Sequence, residues 1–167
     1  MHNTAISEQM YEMLTAHLAD IETEKEEIIR SFYADDAAAG MDIESFFREY
    51  TFTVGSYLKN VRIRKGDTGS CPMAIIGSTV EVRDTADMDT CSYHIVLPFK
   101  RKSGDDMNQA SCLSPMGRAL LLKAPGSRVS IKTPAGELSY EVLGISIPGP
   151  VQNNPGPICK SAANIAL

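Results

Sequence analysis

The feature that most constrains this chain is a pair of apolar seams in its first third. Ile43, Phe47, Tyr50, Val54, Tyr57 and Val61 step by 4, 3, 4, 3 and 4 residues. That alternation keeps one helix face turned toward a partner helix. Phe46 and Leu58 widen it. Upstream, Met10, Leu14, Leu18, Ile21, Ile28 and Phe32 recur at threes, fours and a seven, with Asp20, Glu22, Glu24, Glu26 and Glu27 between them. Lys25 interrupts this stripe. Two such seams in succession predict an antiparallel helical hairpin, a coiled coil, over residues 1–66. Ser7 is the expected first cap, with Glu8 complementing the helix dipole. Gly40 is expected to end the first helix in a left-handed cap, and Asp42 to cap the second. Each arm should run about 30 to 40 Å at ~1.5 Å per residue.

Between the seams the sequence reads "YADDAAAGMDIES", with four carboxylates: Asp35, Asp36, Asp42 and Glu44. Two readings stand. The acids are a solvated, helix-capping turn, or a tip that meets a metal ion in another molecule. Residues 1–70 carry 13 Asp/Glu against 7 Lys/Arg, while the remainder carries 8 against 9. An acidic first part is a poor nonspecific nucleic-acid binder, because phosphate is repelled.

After "RKGDTGSCP" (64–72), expected to be the linker, the texture changes to short strands. "AIIGSTVEVRD" and "CSYHIVLPF" are β-rich and flank the polar turn "TADMDT". "RKSGDDMNQAS" reads as a loop, and Lys100, Arg101 and Lys102 as its solvated end. Ser114 and Pro115 open a helix running to Leu122, stopped by Pro125 and Gly126. "RVSIKT" and "LSYEVLGI" pair through "PAGE" as a hairpin. The expected fold class is α+β: the helical hairpin, then a small antiparallel sheet domain with one short helix over 74–147. The proline-rich stretch 148–167 reads as an extended tail.

Other classes are disfavoured. No apolar run approaches the roughly 20 residues that span a bilayer, and the N-terminus lacks a secretory pattern. A cytoplasmic protein, with no membrane partner, is expected. Cys71, Cys91, Cys112 and Cys159 form no CxxC pair and read as reduced thiols. Cys91 and His94 lie three apart on a strand and so face opposite sides, against thiol catalysis. No zinc spacing is present. Neither a catalytic residue of its own, an intrinsic cofactor nor a metal in the free protein is expected.

The segment Ser114, Pro115, Met116, Gly117, Arg118, Ala119, Leu120, Leu121 and Lys123 resembles the C-terminal domain of the bacterial GreA/GreB transcription factors. The resemblance continues through Gly126, Val129, Thr133, Pro134, Gly136, Glu137, Tyr140, Glu141, Val142 and Leu143. "IIGSTVEVRD" looks like that domain's opening strand, and "YEMLTAHLADIETEKEEII" like the first arm of the family's coiled coil. The family's usual glycine before Lys123 is Leu122 here.

The resemblance implies an FKBP-like second domain that docks on RNA polymerase at its secondary channel, through the region of Ser114, Pro115, Met116 and Arg118. It implies a hairpin that enters the channel, with contact to the transcript 3′ end. Tip acids of the family's cleavage factors help hold a Mg2+ of the polymerase active centre, and the polymerase then hydrolyses the transcript. Asp42, Glu44, Asp35 and Asp36 are the corresponding candidates. The departures point elsewhere within the family. Asp42 and Glu44 sit two apart, where the family's pair sits three apart, and the aromatic run "SFFREY" replaces the family's Asn-Ala-Glu-Tyr. The hairpin also looks shorter, by roughly three turns over both arms at ~3.6 residues per turn. This is closer to noncleaving, Rnk-like branches. The expected function is binding to RNA polymerase with either modulation of elongation or of the active centre, the favoured branch, or assistance of the polymerase's own transcript cleavage. The alternative is a Gre-like scaffold turned to an enzymatic or small-molecule-binding task.

Overall fold

The computed structural model describes residues 5–66, 71–98 and 108–147. The proline-rich tail with Cys159, the Lys100-Arg101-Lys102 segment and part of the expected linker lie outside the described residues. The chain divides into two compact units, Met1–Gly69 and Ser70–Leu167.

The first unit is β1 (Ala5–Ser7), α1 (Glu8–Asp35), α2 (Ala37–Asn60) and β2 (Arg62–Arg64). With 28 and 24 residues the helices extend about 42 and 36 Å at ~1.5 Å per residue. Ser7 caps α1 as expected, its hydroxyl accepting from the Met10 amide at 3.1 Å. Leu14, Ile21 and Ile28 bury along α1, and Ile43, Phe47, Tyr50, Val54 and Leu58 along α2. This is the seam read from the sequence, with one shift at its end. Leu58 takes the buried place, Tyr57 is half-buried, and Val61 is the C-cap rather than a core position. Full burial of a side chain the size of Phe47 contributes about 1.5–3 kcal/mol. Lys25, the interruption in the first stripe, turns to Glu22 at 2.5 Å. The helices are joined by parallel pairing of β1 with β2 at their open end, Ile6 opposite Ile63.

The turn differs from expectation. Gly40 does not end the first helix and Asp42 does not cap the second. α1 continues to Asp35, and the single residue Asp36, extended at φ −156 and ψ 123, separates the helices. Its amide bonds the Phe32 carbonyl at 2.9 Å, and its carboxylate accepts from the Ala38 amide at 3.0 Å. An aspartate can close one helix and open the next in this way, because the cap position has non-helical backbone and a short acceptor side chain.

The second unit is α+β. β3 (Thr79–Asp84), β4 (Thr90–Val96), β5 (Asn108–Ser111), β6 (Arg128–Thr133) and β7 (Gly136–Ser146) form one sheet in the order β5-β4-β3-β7-β6. All neighbours are antiparallel except β4 and β5, which run parallel, so the sheet is mixed and not wholly antiparallel. β5 lies within the segment expected to be a loop. Its Asn-Gln-Ala-Ser sequence has little strand character, and it is held as an edge by pairing with β4. Alternation puts Val80 and Val82, Cys91, Tyr93 and Ile95, and Tyr140 and Val142 on the buried face. A register shift beside Glu81 and Val82 moves β7 by one, so that Ile145 is buried and Leu143 exposed. Arg83 and Glu141, opposite each other on β3 and β7, pair at 2.5 Å.

The helix α3 (Pro115–Leu120) is shorter than expected, because Leu121 leaves helical backbone at φ −56 and ψ 137, and Leu122 follows at φ 65. Leu122 donates to the Ala74 carbonyl at 2.7 Å, which returns the chain to the start of this unit. That left-handed backbone is where glycine sits without strain. Gly77, at φ 92, lets its amide reach the Ile95 carbonyl at 2.7 Å as the chain enters β3. Gly117 is required for closeness: a Cβ there would run into the Ser111 carbonyl.

Two outcomes follow from this packing. Gly117→Ala should cost about 1–3 kcal/mol, the range for forced overpacking, measured by denaturant unfolding. The second concerns His17, whose Nε2 lies 2.7 Å from the Tyr50 hydroxyl inside the hairpin. Burial lowers its pKa below 6.5 against the opposing pull of Asp20 and Glu24. The unfolded chain therefore binds this proton more readily than the folded one, and the contribution to stability, complete above 6.5, is lost as pH falls below it. The melting temperature should drop more across that window in the parent than in His17→Gln.

Candidate functional site

The four acids fall at different levels on the hairpin. Asp35 is the last residue of α1 and Asp36 is the junction, so these two occupy the apex, and both are exposed. Asp42 and Glu44 lie six and eight residues past Asp36, about 9 and 12 Å down α2 at ~1.5 Å per residue. Both are inside regular helix. At ~100° per residue, two positions apart means about 200° around the axis, so Asp42 and Glu44 point to opposite sides. With Asp42 not in the cap, nothing in the backbone brings the pair together.

Glu44 is half-buried and engaged. Its Oε2 accepts from the Tyr33 hydroxyl at 2.7 Å and its Oε1 from the Arg48 guanidinium at 3.2 Å. The hydrogen bond to Glu44 holds the Tyr33 phenol above its ordinary pKa, because the neutral hydroxyl is the better donor to a carboxylate. The Tyr33 ring lies against Gly40, where a Cβ would overlap it. This explains the glycine better than a helix end does. Tyr33, Glu44 and Arg48 border a groove of about 570 Å³ on the side of the hairpin, with Lys25, Arg30 and Phe47 among its walls.

Phe47 is fully buried, and Phe46 stacks on Tyr50 at 6.4 Å, so both belong to the seam. Among the described residues, Met41 and Phe52 are the large apolar side chains most exposed on this unit, at 64% and 73%. The sequence reading named neither them nor Tyr33 and Arg48. The pairing of Tyr33 with Glu44 becomes visible only once the reversal is known to fall at Asp36.

In the second unit the four docking candidates separate into two kinds. Met116 is fully buried and belongs to the core. The Ser114 hydroxyl donates to the Ser111 carbonyl at 2.7 Å and accepts from the Gly117 amide at 3.0 Å, so it is consumed by the cap. Pro115 and Arg118 face solvent, Arg118 bracing the Leu113 carbonyl through its Nε at 3.1 Å. Ser114 and Met116 therefore lie beneath the surface that Pro115 and Arg118 form.

Among the described residues no three His, Cys, Asp or Glu side chains converge to hold a metal ion. The thiols of Cys71, Cys91 and Cys112 are buried. Burial raises the Cys71 thiol and pushes that of Cys112 up to about 12, far from a reactive thiolate. Cys91 is in the core, while His94 sits half-buried on the other face, 3.2 Å from Thr79.

Residues 70–147, the second unit as described, match the family model for the C-terminal domain of the GreA/GreB transcription elongation factors. Residues 70–147 belong to the family of GreA/GreB C-terminal domains. The chain is 28% identical to the transcription elongation factor GreA of Desulfovibrio desulfuricans over 159 residues, which covers 89% of the chain and 97% of that protein. It is 39% identical to GreA of Syntrophobacter fumaroxidans over 72 residues, 43% of the chain and 45% of that protein. Among solved structures it is similar to GreA factor homolog 1 of Thermus thermophilus, at 21% identity and a TM-score of 0.40, covering 86% and 98% of the two chains. No described helix is long and apolar enough to cross a membrane.

The cap assignment is testable. Asp36→Ala should destabilise the hairpin by about 1 kcal/mol, the typical loss for a removed N-cap, while Asp42→Ala should stay within about 0.5 kcal/mol as a surface change. Thermal unfolding of the two variants separates them.

Proposed function

We propose that this chain is a Gre-type factor that binds RNA polymerase at its secondary channel and modulates elongation or the active centre. The observation that supports this reading is the GreA/GreB match over 70–147 in a chain whose other unit is a helical hairpin. Pro115 and Arg118 are the exposed docking residues. The hairpin supplies reach, about 36 to 42 Å at ~1.5 Å per residue.

Modulation is favoured over assisted cleavage by the arrangement of the acids. Magnesium takes hard oxygen ligands in near-octahedral geometry, so carboxylates that assist it must converge. Asp42 and Glu44 diverge, and Glu44 already accepts from two donors. The apex carries Asp35 and Asp36, one of which is also the cap. Such acids can supplement a shell that the polymerase builds, and cannot form one of their own. When bound, that Mg2+ activates the attacking oxygen in transcript hydrolysis. The hairpin's own part is to carry negative charge inward and to fill the channel. Contact with the transcript 3′ end belongs to the same proposal: carboxylates repel backbone phosphates at short range unless a cation lies between.

The test is to add the protein to stalled, backtracked elongation complexes with Mg2+. The expected result is capture of polymerase in a pull-down, with no gain in shortened transcripts over polymerase alone. A gain abolished by Asp42→Ala would assign cleavage instead. Failure to capture polymerase would remove the proposal.

A further inference from the structure

We propose that β2 is a docking edge for an extended acidic segment of a partner protein. The segment adds to β2 as a further strand, with carboxylates beside Arg62 and Arg64 and an apolar side chain beside Ile63. This goes beyond the proposed function. It concerns the open end of the hairpin, and the apex acids play no part in it.

Charge singles out the place. Residues 59–65 hold Lys59, Arg62, Arg64 and Lys65, four of the seven Lys/Arg in residues 1–70, and no carboxylate. All four cations are exposed. Opposite β2, the strand β1 offers Ala5, Ile6 and Ser7, so no acid answers the arginines from the paired strand. Among the described residues none of the four cations takes part in a salt bridge. Such a concentration of unanswered positive charge in an otherwise acidic unit favours a negatively charged partner.

The backbone says what kind of partner. Among the described residues β2 pairs with β1 alone. Along a strand paired on one side, successive residues turn their amide and carbonyl groups alternately toward the neighbour and away from it. The outward groups of β2 are thus open to another strand. All three residues of β2 are exposed, and Ile63, opposite the buried Ile6, is left 49% exposed. Alternation puts Arg62 and Arg64 on one face and Ile63 on the other. The complementary occupant therefore reads acid, apolar, acid. Its carboxylates meet the guanidiniums, and its apolar side chain covers Ile63 as a cross-strand neighbour. A nucleic acid fits less well. It has no amide edge to offer, and a long polyanion meets the excess of 13 Asp/Glu over 7 Lys/Arg in residues 1–70.

The test uses the full chain and the fluorescently labelled peptide Ser-Glu-Val-Glu-Val-Glu-Ser, read by anisotropy at low salt. The expected result is saturable binding that weakens as salt is raised. The scrambled peptide Ser-Glu-Glu-Glu-Val-Val-Ser and a short single-stranded RNA of equal charge should bind more weakly. Replacing both arginines, Arg62→Ala with Arg64→Ala, should weaken the alternating peptide about tenfold, since one exposed ion pair is worth a factor of up to about five. Two further peptides keep every charge and leave the protein unaltered, one N-methylated on its glutamates and one on its valines. Only one of these sets aims its amides at β2, so one peptide should lose binding and the other keep it. Absent binding of the alternating peptide, equal binding of the scrambled peptide or the RNA, an unchanged affinity in the arginine variant, or equal effects of the two N-methylations would each overturn the inference.

Discussion

The reversal of the hairpin at one residue governs where every candidate acid goes. Asp36 donates its amide back to Phe32, accepts the Gly40 amide at 3.0 Å, and offers its carboxylate to Ala38. With only one non-helical residue between the arms, the rotational phase of α2 is set by this cap together with the seam. The phase puts Gly40 beneath Tyr33, Phe47 in the core and Glu44 beside the Tyr33 hydroxyl. A longer turn would leave that phase free. The distribution of charge near the apex is therefore a consequence of backbone geometry as much as of composition.

The two units solve different burial problems. The hairpin has a narrow core, one side chain deep, and supplements it with polar contacts such as His17 with Tyr50. The sheet unit has a broader core, in which Tyr93 and Tyr140 meet edge to face at 6.5 Å and α3 contributes Met116 and Leu120. Positions that looked functional from the family pattern serve this core. Ser114 ties the cap to Ser111, and Gly117 lets the helix approach that same carbonyl. A recurring sequence pattern around α3 thus reflects tight local packing as well as a surface.

Much of the fold was legible because period and burial coincide. Ile43, Phe47, Tyr50 and Val54 announced their helix by spacing, and Val80, Val82, Cys91 and Tyr93 their strands by alternation. The turn was less legible because two rules competed. Glycine marks helix ends, and it also marks close approach; Gly40 obeys the second. β5 was missed because pairing with β4 overrides the weak propensity of Asn108 to Ser111. The site was legible as chemistry and not as direction. Carboxylates can be counted in a sequence, but the grip of Tyr33 and Arg48 on Glu44 depends on an interhelical contact that local spacing does not encode.

The outermost strand β6 has a bearing on how this protein behaves in company. Its inner residues, Val129 and Ile131, are buried, while Arg128, Ser130 and Lys132 alternate outward. Among the described residues no strand lies beyond β6, and such a border is a template on which another polypeptide can extend the sheet. Two like charges along so short a border make recruitment of an identical strand electrostatically unfavourable. The molecule thus carries, at the margin farthest from β5 in the sheet order, a built-in deterrent to stacking on copies of itself.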